Sequence, residues 1–342
     1  MKVGIFTLYS AFNYGAFLQA YATQEKIRSL GHDVVVVDFE PFSARRARYR
    51  TLVSRRPSTL TFNFAKFLAF RKAWEQLRIE RTLPDRRYDL AVLGSDEIWN
   101  VRNPTFQPLP QYFGLDINSR VIASYAPSSS DSTLQEVQAK EFAVRGLARL
   151  SNVSVRDERT YEIAAALTGR VPTLVLDPTF LLDWSRFKGA PVLKNYLLVY
   201  TYGLAPEQIA EVQAFARSNQ LTTVSPGFNN SWCDHVLPAD PFAFLSLMAN
   251  ASYVVTDTFH GTIFSILYGR QFMSFAAKKP KIQHLLKLFG LEGRAVNGSN
   301  TIGQTLLQDI DYPSVGERRL PLQKASEEYV DSILQSAATA AP

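Results

Sequence analysis

Short apolar runs alternate with longer stretches of helical period along most of the chain. Lys2–Leu8 and the nearly all-valine Asp33–Phe39 read as strands, the second covered on both faces. Between them, Gly15–Leu30 carries Phe17, Leu18, Tyr21, Ile27 and Leu30 at near-helical spacing and stops at Gly31, a good C-terminal residue for a helix. A parallel β–α–β unit with a right-handed crossover follows from that order. Residues 43–87 interrupt the pattern with a basic stretch and an amphipathic helix predicted over Asn63–Glu80. Strands are then predicted at Tyr88–Ser95, Arg120–Ala126, Val153–Arg156 and Thr173–Asp177, with helices over Leu134–Leu150 and Glu158–Leu167. Asp177–Leu193 has two prolines and no firm period and reads as a linker. A second alternation has strands at Tyr196–Tyr202, Leu221–Val224, Tyr253–Thr256 and Gln271–Phe275. Its helices fall at Pro206–Ser218, Pro241–Asn250, Thr262–Leu267 and Ile282–Phe289, and a last helix at Ala325–Leu334 suits either half.

This pattern predicts an α/β protein of two Rossmann-like, doubly wound domains facing a cleft. The first spans residues 1–180 with a basic helical insertion at 43–87; the second spans 181–342 and takes the terminal helix. In such sheets ligands sit beyond the carboxyl ends of the strands, so the segments that follow strands are where chemistry is expected.

Composition narrows the class. With 46% hydrophobic and 20% charged residues in 342, the chain can build real cores and is neither disordered nor fibrous. One cysteine, Cys233, excludes an intramolecular disulfide framework and a cysteine-rich zinc site, and suits a reducing cytoplasm. No run of 18 apolar residues is present, and the N-terminus does not read as a signal peptide. The net charge of +6 is local: residues 43–87 hold thirteen Lys/Arg against three acids, while the remainder has 24 basic and 28 acidic residues.

Four segments after strands carry candidate chemistry. Tyr9–Gly15 lacks the glycine pattern of a dinucleotide site, and no phosphate-binding G-x-x-x-x-G-K-[ST] occurs. Asn13 and Gly15 before a helix can hold an anion on backbone N–H groups or simply cap the helix. In Leu93–Asn100, Trp99 offers a flat face to a sugar ring and Asp96 and Asn100 can bond hydroxyls; a capping Asp and a core Trp are the plainer account. Arg156 at a strand end can grip a carboxylate or phosphate in bidentate fashion, or pair with Asp157 or Glu158. In Val255–Thr262, Asp257 and His260 follow an apolar strand and Gly261–Thr262 open a helix. Histidine titrates nearest neutral pH, which suits proton transfer, although a lone histidine is more often structural. His32, His235 and His284 lack comparable settings, and no spacing resembles a metal site.

Taken together, N13-Y-G-A-F-L-Q-A-Y-A22, G94-S-D-E-I-W-N100, S154-V-R-D157, L176-D-P-T179 and V255-T-D-T-F-H-G-T262 resemble the polysaccharide pyruvyl transferase family, in order and over roughly residues 3–294. The resemblance implies a GT-B-like fold. It also implies an enzyme that transfers a pyruvyl group from phosphoenolpyruvate, a co-substrate, onto two hydroxyls of a sugar to form a cyclic ketal, with no cofactor and no metal. Read onto this chain, His260 is the general acid with Asp257 beside it. Arg156, Asn13, Gly15, Gly261, Thr262 and Lys281 hold the donor, and Asp96, Trp99 and Asn100 hold the acceptor. One position departs from the pattern: several family members carry an arginine two residues before the histidine, and here it is Thr258. Either Lys278, Lys279, Lys281 or Arg294 replaces that cation, or the donor differs.

Two other functions fit the same pattern. One is a GT-B-like glycosyltransferase using a nucleotide sugar; the other is a non-catalytic sugar- or membrane-binding protein of this fold. The basic segment 43–87 reads as a solvated helix face, or as a contact with anionic lipid headgroups that would suit a lipid-linked acceptor and a protein peripheral to the inner membrane face. No nucleic-acid motif accompanies the charge.

Overall fold

Twelve short strands, every pairing between them parallel, set the frame among the residues described by the computed structural model, which are 1–81, 86–103, 105–190, 193–275, 279–296 and 301–340. In chain order they are β1 Lys2–Phe6, β2 Asp33–Asp38, β3 Ile79–Arg81, β4 Tyr88–Leu93, β5 Ser119–Ser124, β6 Ser154–Val155 and β7 Thr173–Leu174. Then follow β8 Tyr196–Tyr200, β9 Thr222–Pro226, β10 His235–Leu237, β11 Tyr253–Thr256 and β12 Gln271–Ser274. One sheet runs β3-β2-β1-β4-β5 and the other β10-β9-β8-β11-β12, the same winding twice; β6 and β7 form a small pair. Register pins Val3 opposite Val34 on one side and Leu90 on the other, and Val254 opposite Leu198 and Phe272. Val34–Val37 are all buried, as a run of valines covered on both faces requires.

Several elements differ from the sequence reading. The helix expected from Asn63 begins at Pro57, which is favoured in a first turn because its missing N–H would be unpaired there, and ends at Trp74. A further helix, Phe42–Arg50, precedes it, and β3 takes the end of the expected helix. Leu134–Leu150 is two helices, Leu134–Gln138 and Glu141–Leu147. The expected linker after Asp177 is a packed connection with 3₁₀ turns at Pro178–Leu181 and Ser185–Phe187, the first buried.

The terminal helix is far longer than expected, Tyr312–Thr339, and its last turns lie on the first sheet rather than with the second. Tyr329 donates its hydroxyl to Ser124 O at 3.0 Å, and Ser326 Oγ accepts from Leu176 N–H at 2.9 Å. The two sheets also share a core. Tyr14, the first residue of helix Tyr14–Ser29, stacks on Phe244 at 4.5 Å and Phe70 at 5.6 Å and donates to Ala239 O at 2.7 Å. Among the described residues no helix is long and apolar enough to cross a membrane.

Candidate active site

The carboxyl ends of the two sheets meet around a cavity of about 530 Å³. Its wall includes Asn13, Asp96, Arg156, Asp257, His260 and Lys281, brought from both halves of the chain.

Behind the cavity wall a fully buried carboxylate, Asp177, gathers the decisive groups. Asp177 caps the turn Pro178–Leu181: its Oδ1 accepts from Thr179 N–H at 3.0 Å and Thr179 Oγ1 at 2.7 Å. Its Oδ2 accepts from Arg156 Nη1 at 2.6 Å and Ser95 Oγ at 3.1 Å, and faces His260 Nε2 at 3.5 Å. Burial would push this carboxyl up; His260 and Arg156 beside it hold it well below the usual carboxylate range. Burial likewise works against the Arg156 guanidinium, but Asp177 and then Asp96, 3.7 Å from Nη2, outweigh it and raise its pKa. Arg156 lies over the Phe259 ring, 4.5 Å from its centroid. Four buried polar atoms of the cavity wall have no hydrogen-bond partner among the described residues: Arg156 Nε, Asp157 Oδ2, His260 Nε2 and His284 Nδ1. Unpaired buried groups are costly and mark where a ligand's polar atoms belong.

The helix Phe259–Leu267 presents His260 in its first turn, and Gly15 admits it: a Cβ on Gly15 would lie 2.0 Å from His260 Nδ1. The glycine serves the approach of an imidazole rather than of a phosphate. Asn13 is a true cap, accepting from Gly15 N–H at 2.8 Å, and its Nδ2 donates to Tyr202 of the second half at 2.8 Å. Thus the first helix of one sheet is fastened against the first helix after β11 of the other.

The model of the polysaccharide pyruvyl transferase family matches residues 13–278, well over half the chain. The chain belongs to this family. It is therefore a transferase of polysaccharide biosynthesis. No protein of curated function matches it. Among solved structures, the UDP-GlcNAc 2-epimerase of Neisseria meningitidis bound to UDP-GlcNAc is similar, at 11% identity and a TM-score of 0.53 over 98% of this chain and 100% of that one. The UDP-GlcNAc 2-epimerase of Methanocaldococcus jannaschii in complex with UDP-GlcNAc and UDP matches at 11% identity and a TM-score of 0.50, with the same coverage. Such likeness shows the fold alone: two Rossmann-like units of GT-B type.

In this pyruvyl transferase family member, several expected site residues serve the scaffold instead. Trp99 is buried, donates Nε1–H to Tyr112 O at 2.8 Å and stacks near Phe113, so it is no sugar platform. Asn100 is consumed by Glu97, Ser132 and Arg102 N–H. Gly261 N–H donates to Thr258 Oγ1 at 2.9 Å, so it is not open to an anion; a Cβ there would meet Thr256 Oγ1 at 2.2 Å. Thr262 bonds Thr258 O at 3.0 Å and Ser274 at 3.1 Å inside the fold. Thr258, two residues before His260, is the helix N-cap.

The cations are distributed otherwise than expected. Arg294 lies in the scaffold, donating to Thr305 O and Asp309 O. Lys278 lies outside the described residues. Lys279 bonds the Asp257 carboxylate at 3.0 Å, and Asp257 also accepts from Tyr202 N–H at 2.9 Å. Lys281 reaches across the cleft to Glu97; although burial opposes it, Lys281 holds the Glu97 carboxyl down to about 2.

Glu97, Asp157, Arg159 and His284 also line the cavity and escaped the sequence reading of the site. His284 Nδ1 lies 3.3 Å from Glu158 Oε1. Among the described residues, seven carboxylates and four Lys/Arg face this space. Among the described residues no group of three or more His, Cys, Asp or Glu is arranged to hold a metal ion.

Proposed function

We propose that this family member transfers the pyruvyl group of phosphoenolpyruvate onto two hydroxyls of a sugar in a polysaccharide precursor, forming a cyclic ketal. The observation that carries the reading is that His260 and Arg156, from opposite halves of the chain, meet at one cavity with unpartnered nitrogens. The His260 imidazole delivers a proton to the methylene carbon of the donor, leaving an oxocarbenium centre on the carbon that bears the phosphate. A sugar hydroxyl forms a bond to that centre and gives its proton to a cavity carboxylate, Asp96 or Asp257. The bond to phosphate then breaks, phosphate leaves with its electron pair, and a second hydroxyl closes the ring, its proton passing to the His260 imidazole and restoring the acid. Asp177 holds the imidazole and the guanidinium in place and stabilises the charge of the guanidinium.

The surplus of carboxylates sets a condition on the donor. Phosphoenolpyruvate carries a carboxylate and a phosphate, so its binding must draw Lys281 from Glu97 and Lys279 from Asp257. Cations already held at the rim can make that exchange with little side-chain ordering. The departure at Thr258 is met in this way by Lys279 and Lys281.

The test is incubation of the protein with phosphoenolpyruvate and a panel of sugar acceptors, following free phosphate and the ketal methyl resonance. Both should appear together and only with acceptor present. Folded protein that releases no phosphate with any acceptor, but is stabilised against heat by a nucleotide sugar, would sink the donor assignment.

A further inference from the structure

We propose that the two-helix segment Phe42–Trp74 docks the protein on an anionic lipid surface. From Pro41 to Trp74 the chain carries nine Lys/Arg and no Asp or Glu. On helix Phe42–Arg50, the residues Phe42, Arg46, Tyr49 and Arg50 stand at i, i+4, i+7 and i+8, one face of a helix, and all four are exposed, Phe42 by 80%. On helix Pro57–Trp74, Leu60, Phe64, Leu68 and Arg71 make a second exposed stripe at i, i+4, i+8 and i+11. Val53, 74% exposed, lies with Arg55 and Arg56 in the connection.

These stripes belong to one packed unit. Tyr49 and Phe67 meet at 6.1 Å, Phe12 packs on both, and Asn63 Nδ2 donates to Leu52 O at 2.8 Å. The buried side of the segment is made by Ala44, Arg48, Phe70 and Ala73. Six of the thirteen exposed large hydrophobics among the described residues lie in this one span, and the others are scattered. An apolar stripe edged by arginines matches the boundary between acyl chains and acidic headgroups, where each part of it finds a partner.

The charge argues against other occupants. A second copy would bring like charges face to face. A nucleic acid would meet the arginines but leave Phe42, Val53, Leu60 and Leu68 against a polar backbone.

The segment is fixed to both sheets. Lys66 Nζ donates to Gly227 O at 2.8 Å, and Asn229 Nδ2 donates to Thr59 Oγ1 at 2.9 Å. Phe12, which packs on Phe67, Phe70 and Trp74, directly precedes Asn13 of the cavity wall. Docking would therefore orient the cleft relative to the membrane. Delivery of a lipid-carried acceptor rests on the function proposed above, but the lipid contact itself does not.

The experiment is co-sedimentation of the full chain with vesicles of phosphatidylcholine alone and with about 30 mol% phosphatidylglycerol, at low and high salt. Binding is expected only to the anionic vesicles and weakens with salt. The double variant Arg55→Gln/Arg56→Gln should lower partitioning roughly 30-fold. Phe64→Ser/Leu68→Ser should lower it roughly tenfold or more, with activity on a soluble acceptor unchanged. Equal binding to both vesicle types, binding indifferent to Phe64→Ser/Leu68→Ser, or binding to heparin but not to vesicles overturns the proposal. None of these residues lines the cavity. Failure here leaves pyruvyl transfer standing, and vesicle binding without pyruvyl transfer would sink only that function.

Discussion

The imidazole of His260 rests against Gly15, so closely that a single methyl group on Gly15 would fall 2.0 Å from Nδ1. The two residues open helices in different halves of the molecule and are separated by most of the chain, yet each defines the other's position.

Gly15→Ala should therefore displace the imidazole without touching any proposed reactant. Overpacking of this kind costs about 1–3 kcal/mol of stability. Because a small misplacement of a reacting group is costly, kcat should fall about 100-fold. Chemical denaturation and initial rates on the same preparation check both numbers. A folded Gly15→Ala protein with full activity would show that His260 need not hold this place.

Asp177→Asn would leave the Arg156 guanidinium buried with Asp96 as its nearest acid, at 3.7 Å. Breaking a buried pair by removing one partner costs about 3–5 kcal/mol, and urea unfolding should register that loss. Arg156→Lys should not restore the wild type, since a single ammonium cannot reach Ser95, Asp96 and Asp177 as the planar guanidinium does.

Much of the fold was legible. The valines of β2 and the sequence YVVT of β11 announce buried parallel strands by composition. β3 escapes because only Ile79 of its three residues is apolar, and β10 because His235–Leu237 is equally short. The terminal helix was cut short on sequence because its first half is polar and interrupted by Pro321. In the site, His260, Arg156 and Asp257 stood out because each follows a strand. Asp177 also follows a strand and belongs to a motif, but its role was not legible: its partners Ser95, Arg156 and His260 lie far away in sequence, and no local spacing joins them. Between Asp96 and Asn100 the reading chose the wrong neighbours. Asp96 has φ of +75°, a left-handed turn that breaks strand alternation, so Glu97 faces the cavity while Trp99 enters the core.

Trp99→Phe separates those two roles. Loss of the Nε1–H bond to Tyr112 O from a buried site should destabilise the protein by about 1–2 kcal/mol. KM for the sugar acceptor should not move; a rise of tenfold or more would restore Trp99 to the acceptor site.

The cross-cleft pair of Glu97 and Lys281 predicts an acid limb. The Glu97 carboxyl is lowered from 4.5 to about 2 in the folded protein. Its contribution is thus complete above pH 4.5 and is lost as pH falls toward 2. Partial solvent access limits that contribution to about 1–3 kcal/mol. Glu97→Gln should flatten the fall in unfolding free energy between those values. An unchanged acid limb would contradict the pairing.

The most direct measurement is phosphate release from phosphoenolpyruvate, with acceptor present, by His260→Gln beside the wild type, both verified as folded by circular dichroism. If His260 is the general acid on a donor gripped by Arg156, kcat falls by about 10²–10⁴ while KM for phosphoenolpyruvate changes little. Undiminished kcat in the variant would contradict it.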